Sequence, residues 1–197
     1  MLILKDQLQA MPIMSLQTGA KIAETGAFII DPRELKVVAF YCGGPRLDVN
    51  PAILTVADIR EIGALGIIVD SADVLVAPED LVRLKEIIHF NFVLEDKPVV
   101  ETSGRKLGHI VNYTLDSKSL YIIKLQVRPG MWQSFKTTEL LIDRSQVDHV
   151  TDQEVVVRHA ATTDEKKKQV ASAPILDNPF RRAPVESAIT HPHDESS

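Results

Sequence analysis

The chain has 197 residues, a net charge of −5, 45% hydrophobic residues and 25% charged residues, ordinary values for a globular protein. Only 5% of residues are aromatic, so a core must rest on Val, Ile, Leu and Ala, and the near balance of charge argues against a general binder of nucleic acid or anionic membrane. Cys42 is the one cysteine, which rules out an intrachain disulfide framework and a Cys-based zinc cluster.

The first fourteen residues mix Lys5 and Asp6 with scattered apolar side chains, a pattern unlike a secretory leader. The longest nearly apolar stretch, Ile62 to Val69, is far shorter than the roughly 20 residues of a membrane span. These features predict a cytoplasmic chain with no membrane span. Leu8 and Pro12-Ile13 come first, then Thr18-Gly19-Ala20-Lys21-Ile22. Asp31-Pro32-Arg33-Glu34 suits a type I turn, because proline pre-sets φ and aspartate bonds the turn backbone. The strand after it is expected to point Val38, Phe40 and Cys42 inward. A helical turn is expected near residues 56–59. Pro78-Glu79-Asp80 then opens a helix, with proline at its first position and acids in its first turn. Leu81, Leu84 and Ile88 extend that helix to about residue 90.

The pattern then repeats. Leu94 and Pro98-Val99 echo Leu8 and Pro12-Ile13, and Ser103-Gly104-Arg105-Lys106-Leu107 echoes the run at Gly19. Asp116-Ser117-Lys118-Ser119 is the second turn. Val111, Tyr113 and Leu115 are expected to point inward before it. After it, Tyr121, Ile123, Leu125 and Val127 alternate with Ile122, Lys124, Gln126 and Arg128, as in a half-buried strand. A short helical turn is expected near 138–141. Val155-Val156-Val157 is matched with Val74-Leu75-Val76, and Val150 with Val69, which places a shorter loop in the second copy. A repeat of this length means two copies of a small domain. From residue 159 onward a charged run and Pro174, Pro179, Pro184 and Pro192 accompany sparse apolar residues. Such a segment buries too little surface to offset its ordering entropy, so 159–197 is expected to be a disordered tail.

Paired units with Gly-x-Lys-[Ile/Leu]-[Gly/Ala], an Asp-led turn, a Val/Ile strand pair and a final Val-rich strand resemble the PRC-barrel family. That family includes the cytoplasmic domain of the photosynthetic reaction-centre H subunit and the C-terminal domain of the ribosome maturation factor RimM. The second copy carries the pattern in Ser103 to Gly108, Asp116, Tyr121 to Val127 and Val155 to Val157; the first departs at Ala23, where a second glycine is expected. The resemblance implies an all-β fold with a minor helix. It consists of two tandem small PRC-type β-barrels, residues 1–77 and 92–158, joined by a linking helix, 78–91, and followed by the tail. The two barrels are expected to share an interface that includes the helix. Each unit is near the lower size limit for an independent core, and copy two is expected to fold alone at least marginally.

No catalytic residue, metal ligand or cofactor is expected. None of the six histidines has HExxH spacing, and His191 and His193 with Asp194 fall short of the three or four fixed ligands a metal needs. Cys42 ends an apolar strand face and reads as a buried hydrophobe. Gly43-Gly44-Pro45 lacks the Gly-Lys-Ser/Thr of a phosphate loop, Arg105-Lys106 reads as a solvated turn pair, and Lys166 to Lys168 are offset by Asp164 and Glu165. Two segments stand out as binding elements. Met131-Trp132 either caps its own barrel or forms an exposed anchor. Ile175, Leu176, Phe180, Arg181 and Arg182 form an apolar, basic island that folds onto a partner, docks on its own barrels, or does neither. The preferred expectation is a non-enzymatic adaptor whose partner is another protein, with no direct nucleic-acid contact. The resemblance leaves two alternatives. One is a ribosome-maturation adaptor like RimM, touching a basic ribosomal protein. The other is a membrane-complex regulator like the H subunit, acting in photosynthetic electron transport.

Overall fold

The structure, a computed structural model, describes residues 1–45, 47–130 and 139–158. Met131, Trp132 and the island at 175–182 lie outside the described residues, as does the whole of 159–197. In chain order the elements are β1 (Leu2–Leu4), α1 (Lys5–Leu8), β2 (Pro12–Ser15), β3 (Lys21–Asp31), β4 (Lys36–Gly43), β5 (Ala52–Thr55), β6 (Glu61–Gly63), β7 (Gly66–Val69) and β8 (Leu75–Val76). There follow α2 (Lys85–Phe90), β9 (Pro98–Glu101), β10 (Lys106–Asp116), β11 (Ile122–Arg128), β12 (Leu140–Asp143), β13 (Val147–Val150) and β14 (Val155–Val157). Among the described residues the fold is mostly β with two short helices, as the period-2 alternation predicts.

The strands form two sheets. The first runs β6-β7-β2-β3-β4-β5-β8 and the second β13-β14-β9-β10-β11-β12, with β1 added beside β10. Over six strands the two orders are the same. Each contains one parallel pair, β2 with β7 and β9 with β14. The local backbone repeats too. Positive φ recurs at Ala10 and Asp96, at Gly19 and Gly104, and at Leu35 and Leu120.

Register corrects several expectations. Val99 pairs with Val155 as Ile13 pairs with Ile67, so the counterpart of Val155–Val157 is Ile67–Val69 and not Val74–Val76. The longer loop therefore lies in the second copy, before β12. The expected turn near 138–141 gives way to β12, with a 3-10 turn following at Arg144–Gln146; the turn expected at 56–59 is present at Val56–Asp58. The expected single helix is instead two 3-10 turns, Pro78–Asp80 and Val82–Leu84, followed by α2. Leu81, at φ −92 and ψ 67, breaks its continuity.

The inward faces shift at bulges, one of which falls at the same place in each copy. Ile29 pairs with Ala39 but Ile30 with Val37, and Thr114 pairs with Lys124 but Leu115 with Ile122. The extra residues are Val38 and Ile123, and a one-residue slip moves following side chains to the other face. Val37 and Ile122 are buried in place of Val38 and Ile123, and Tyr121 is only half-buried. A second shift, between Ile110 and Asn112, buries Ile110 in place of Val111. Phe40, Cys42, Tyr113, Leu115, Leu125 and Val127 are buried as expected.

One core spans both halves, from Leu8, Ile13 and Phe40 to Leu94, Tyr113 and Val155. A smaller cluster lies on the outer side of the first sheet, where Leu81, Leu84, Ile87 and Ile88 cover Ile29, Ala39 and Ile53. The equivalent outer positions of the second sheet are Thr114, Lys124 and Leu141, and no helix covers them among the described residues. Two of the three covered apolar positions, Ile29 and Ala39, thus have polar counterparts in Thr114 and Lys124, and the counterpart of the third, Leu141, is exposed. β1 crosses between the halves: Leu2 to Leu4 pair with Asp116 to Thr114, and the Asn112 side-chain amide donates to Asp6.

Tyr113 sits at the middle of the molecule. Its ring meets Phe28, its counterpart in the first half, at 6.4 Å. Among the described residues, its buried hydroxyl has no hydrogen-bond partner, and burial pushes its pKa upward. An unsatisfied buried hydroxyl costs about 1–3 kcal/mol. Tyr113→Phe is therefore expected to raise stability by about 1 kcal/mol in urea unfolding at neutral pH. A loss of stability would show that the hydroxyl is satisfied.

Candidate functional site

The halves meet at a seam built on their equivalent strands. Val37 N donates to Leu120 O at 3.0 Å and Ile122 N donates to Leu35 O at 2.9 Å. Lys36 and Tyr121 form an isolated antiparallel bridge between them. Each half offers the same donor and the same acceptor, so the seam is reciprocal. The Tyr121 ring is flanked by Lys36 Nζ at 4.9 Å and Arg144 Cζ at 4.4 Å from its centroid. Its hydroxyl donates to Glu34 Oε2 at 3.3 Å.

The Asp31–Glu34 turn stands at the edge of this seam. Asp31 accepts from Arg33 N at 3.0 Å and from the Arg33 guanidinium at 3.2 Å through both Nε and Nη2. This bonding raises the Arg33 pKa above its ordinary value. The Arg33 side chain stays 72% exposed and is held in one direction. On one side of the turn lies a cavity of about 350 Å³, lined by Pro32, Arg33, Glu86, Ile87, Phe90 and Val150. On the other lies one of about 280 Å³, lined by Arg33, Glu34, Arg144, Asp148 and His149 among others. They share Pro32, Arg33 and Val150 and form a groove on both sides of the turn. Phe90, 49% exposed, stacks on Phe92 at 6.2 Å at its rim. Sequence reading missed this groove. Arg33 registered only as part of a turn, while Phe90 falls outside the Leu81, Leu84, Ile88 stripe and offered a weak signal.

The remaining candidates resolve into structural roles. Cys42 is buried and donates weakly to Phe40 O, and burial pushes its thiol up to about 12. That is far from a reactive thiolate. Arg105, expected to be solvated, is held by the buried Glu101, with Nη2 to Oε1 at 2.6 Å and Nε to Oε2 at 3.0 Å. Asp116 accepts from the Ser119 amide and hydroxyl, which holds its carboxyl down to about 2. Burial pulls Lys97 below its ordinary value, over the Phe92 ring and donating to Asp152 O. Among the described residues no group of three or more His, Cys, Asp or Glu is placed to hold a metal ion, and no helix is long and apolar enough to cross a membrane. No protein-family model matches the chain, and no curated protein matches it.

Proposed function

We propose that this protein is a tandem PRC-barrel adaptor that holds another protein at the groove beside the Asp31–Glu34 turn. The observation that carries this reading is the pairing of a half-exposed aromatic ring, Phe90, with an exposed guanidinium, Arg33, fixed by Asp31 across a small apolar cavity. Aromatic and arginine side chains dominate binding energy at interfaces. A guanidinium already held in place loses less freedom on binding. The chemistry suits recognition: Cys42 is buried and Arg105 is committed to Glu101.

Affinity purification of the full chain from its native host, with quantitative mass spectrometry, tests this. The doubly substituted Arg33→Glu, Phe90→Ala chain is expected to lose its specific partners by about tenfold, the loss of an interface anchor worth about 1.4 kcal/mol or more. Its circular dichroism and melting should match the parent. Trp132→Ala and a chain ending at Arg158 run beside it to test the other two binding elements. Full recovery of every partner by the double variant would remove the groove from consideration.

A further inference from the structure

Ile87 and Ile88 of α2 help to cover the first sheet. Glu86 and Phe90 stand four positions apart on the same helix, so their side chains lie side by side. Both line the cavity of about 350 Å³ against the Asp31–Glu34 turn. Asn91, left-handed at φ 47, ends the helix, and Phe92 returns to stack on Phe90. Phe92 is buried and already carries a cation, Lys97 Nζ at 4.6 Å from its ring centroid. Phe90 is half-exposed, and among the described residues no cation lies over its ring.

Most acids around the groove are partnered locally. Asp31 accepts from the Arg33 guanidinium, Glu34 accepts from the Tyr121 hydroxyl, and Asp148 meets His149 and Arg158. Glu86 differs. Arg33 attracts it through space but is turned to Asp31, and among the described residues Glu86 has no hydrogen bond or ion pair. The charges that line this cavity, Asp31, Arg33 and Glu86, leave one net negative charge. A cation is favoured there, and the apolar walls of Pro32, Ile87 and Val150 suit a long side-chain stem. Arginine fits better than lysine. Its planar guanidinium stacks on an aromatic ring, pairs with a carboxylate through two N–H groups and is more weakly hydrated. We infer that this cavity seats an arginine side chain of the partner protein, with its stem against Pro32, Ile87 and Val150 and its guanidinium between Glu86 and the exposed part of the Phe90 ring. The inference rests on the adaptor reading above and names the chemistry of the partner.

The test uses the full chain labelled with nitrogen-15 and a capped peptide, Ser-Thr-Arg-Thr-Ser, at low salt, where charge attraction is least screened. Two further peptides carry citrulline or lysine in place of the arginine; citrulline keeps the shape and loses the charge. Saturable amide shifts are expected at Arg33, Glu86, Ile87 and Phe90. The citrulline peptide is expected to bind about tenfold more weakly, the loss of an ion pair and a cation–π contact together. Glu86→Gln is expected to weaken the arginine peptide about fivefold, the loss of the ion pair alone. The citrulline comparison uses the unaltered chain, so it stands even if Glu86→Gln disturbs folding. Absence of saturable shifts at the cavity, or equal binding of the citrulline or lysine peptide, would overturn the proposal. So would cavity shifts that grow with chain concentration without peptide, which would assign the site to a second copy. Peptide binding that strengthens in a chain ending at Arg158 would also overturn it, assigning the cavity to the chain's own later residues. If the arginine peptide fails while the Arg33→Glu, Phe90→Ala chain still loses partners, the arginine is excluded and the adaptor reading remains. If the peptide binds while that variant loses nothing, the adaptor reading falls and the arginine site remains.

Discussion

Alanine at Gly108 is expected to destabilise the protein by about 3 kcal/mol, among the largest effects of any single methyl group in this chain. Gly108 has φ 145, and a Cβ there would lie 2.0 Å from Arg128 O and 2.6 Å from Arg128 C, both backbone atoms of the facing strand. β10 and β11 would have to part where His109 pairs with Arg128. In the first half the equivalent residue is Ala23, buried and accommodated. There the facing position is Gly44, whose added Cβ would stand 3.2 Å from Ala23 Cα. In the second half the facing position is Pro129, whose Cα would be 2.9 Å from a Cβ on Gly108. One strand yields its side chain in each copy, but not the same strand. Urea unfolding measures the cost, with Gly104→Ala as a reference: its φ is 85 and nothing stands within 4 Å, so it should cost about 1 kcal/mol from backbone strain alone. Equal effects at both glycines would refute the close-approach account.

Phe40→Ala is expected to cost about 4 kcal/mol, the range for emptying a fully buried aromatic site. Phe40 is wholly buried and meets Phe28 edge to face at 5.2 Å, and Phe28 in turn meets Tyr113. The cavity would open where the two halves share their core. Domain stabilities are commonly only about 5–15 kcal/mol, so the variant should be markedly less stable at physiological temperature. Calorimetry should also show one transition in the parent, because the main cluster is continuous across both sheets. Two separated transitions, with only the first shifted by Phe40→Ala, would show that the halves melt independently.

Much of the duplication was legible in the chain. Gly19 and Gly104, Leu8 and Leu94, and the turns at Asp31 and Asp116 occupy equivalent places. These features are local, fixed by turn geometry and by apolar residues a few positions apart. What escaped was of another kind. A bulge leaves no mark on an alternating run, so Val38 and Ile123 read as inward residues. Ile67–Val69 and Val74–Val76 are equally apolar, and only the parallel register with β2 distinguishes them. The cover over Ile29, Ala39 and Ile53 left no local signal, since it comes from the separate segment of Leu81, Leu84, Ile87 and Ile88. The groove was illegible because Arg33, Phe90 and Val150 come from distant segments and meet only through the seam. The departure at Ala23 was noticed in the sequence, but its compensation at Gly44 required the distance between facing strands.

The crossing of β1 bears on how the molecule is assembled. Leu2 finds its partner only when Asp116 has been made, and at cellular synthesis rates of about 5–20 residues per second that interval is on the order of ten seconds. The first half must emerge from the ribosome with its leading strand unattached, able to be captured by a chaperone or by the β10 of a neighbouring nascent chain. Made apart from the second half, the first would keep that strand without its partner, so the two sheets, alike in plan, are not interchangeable parts.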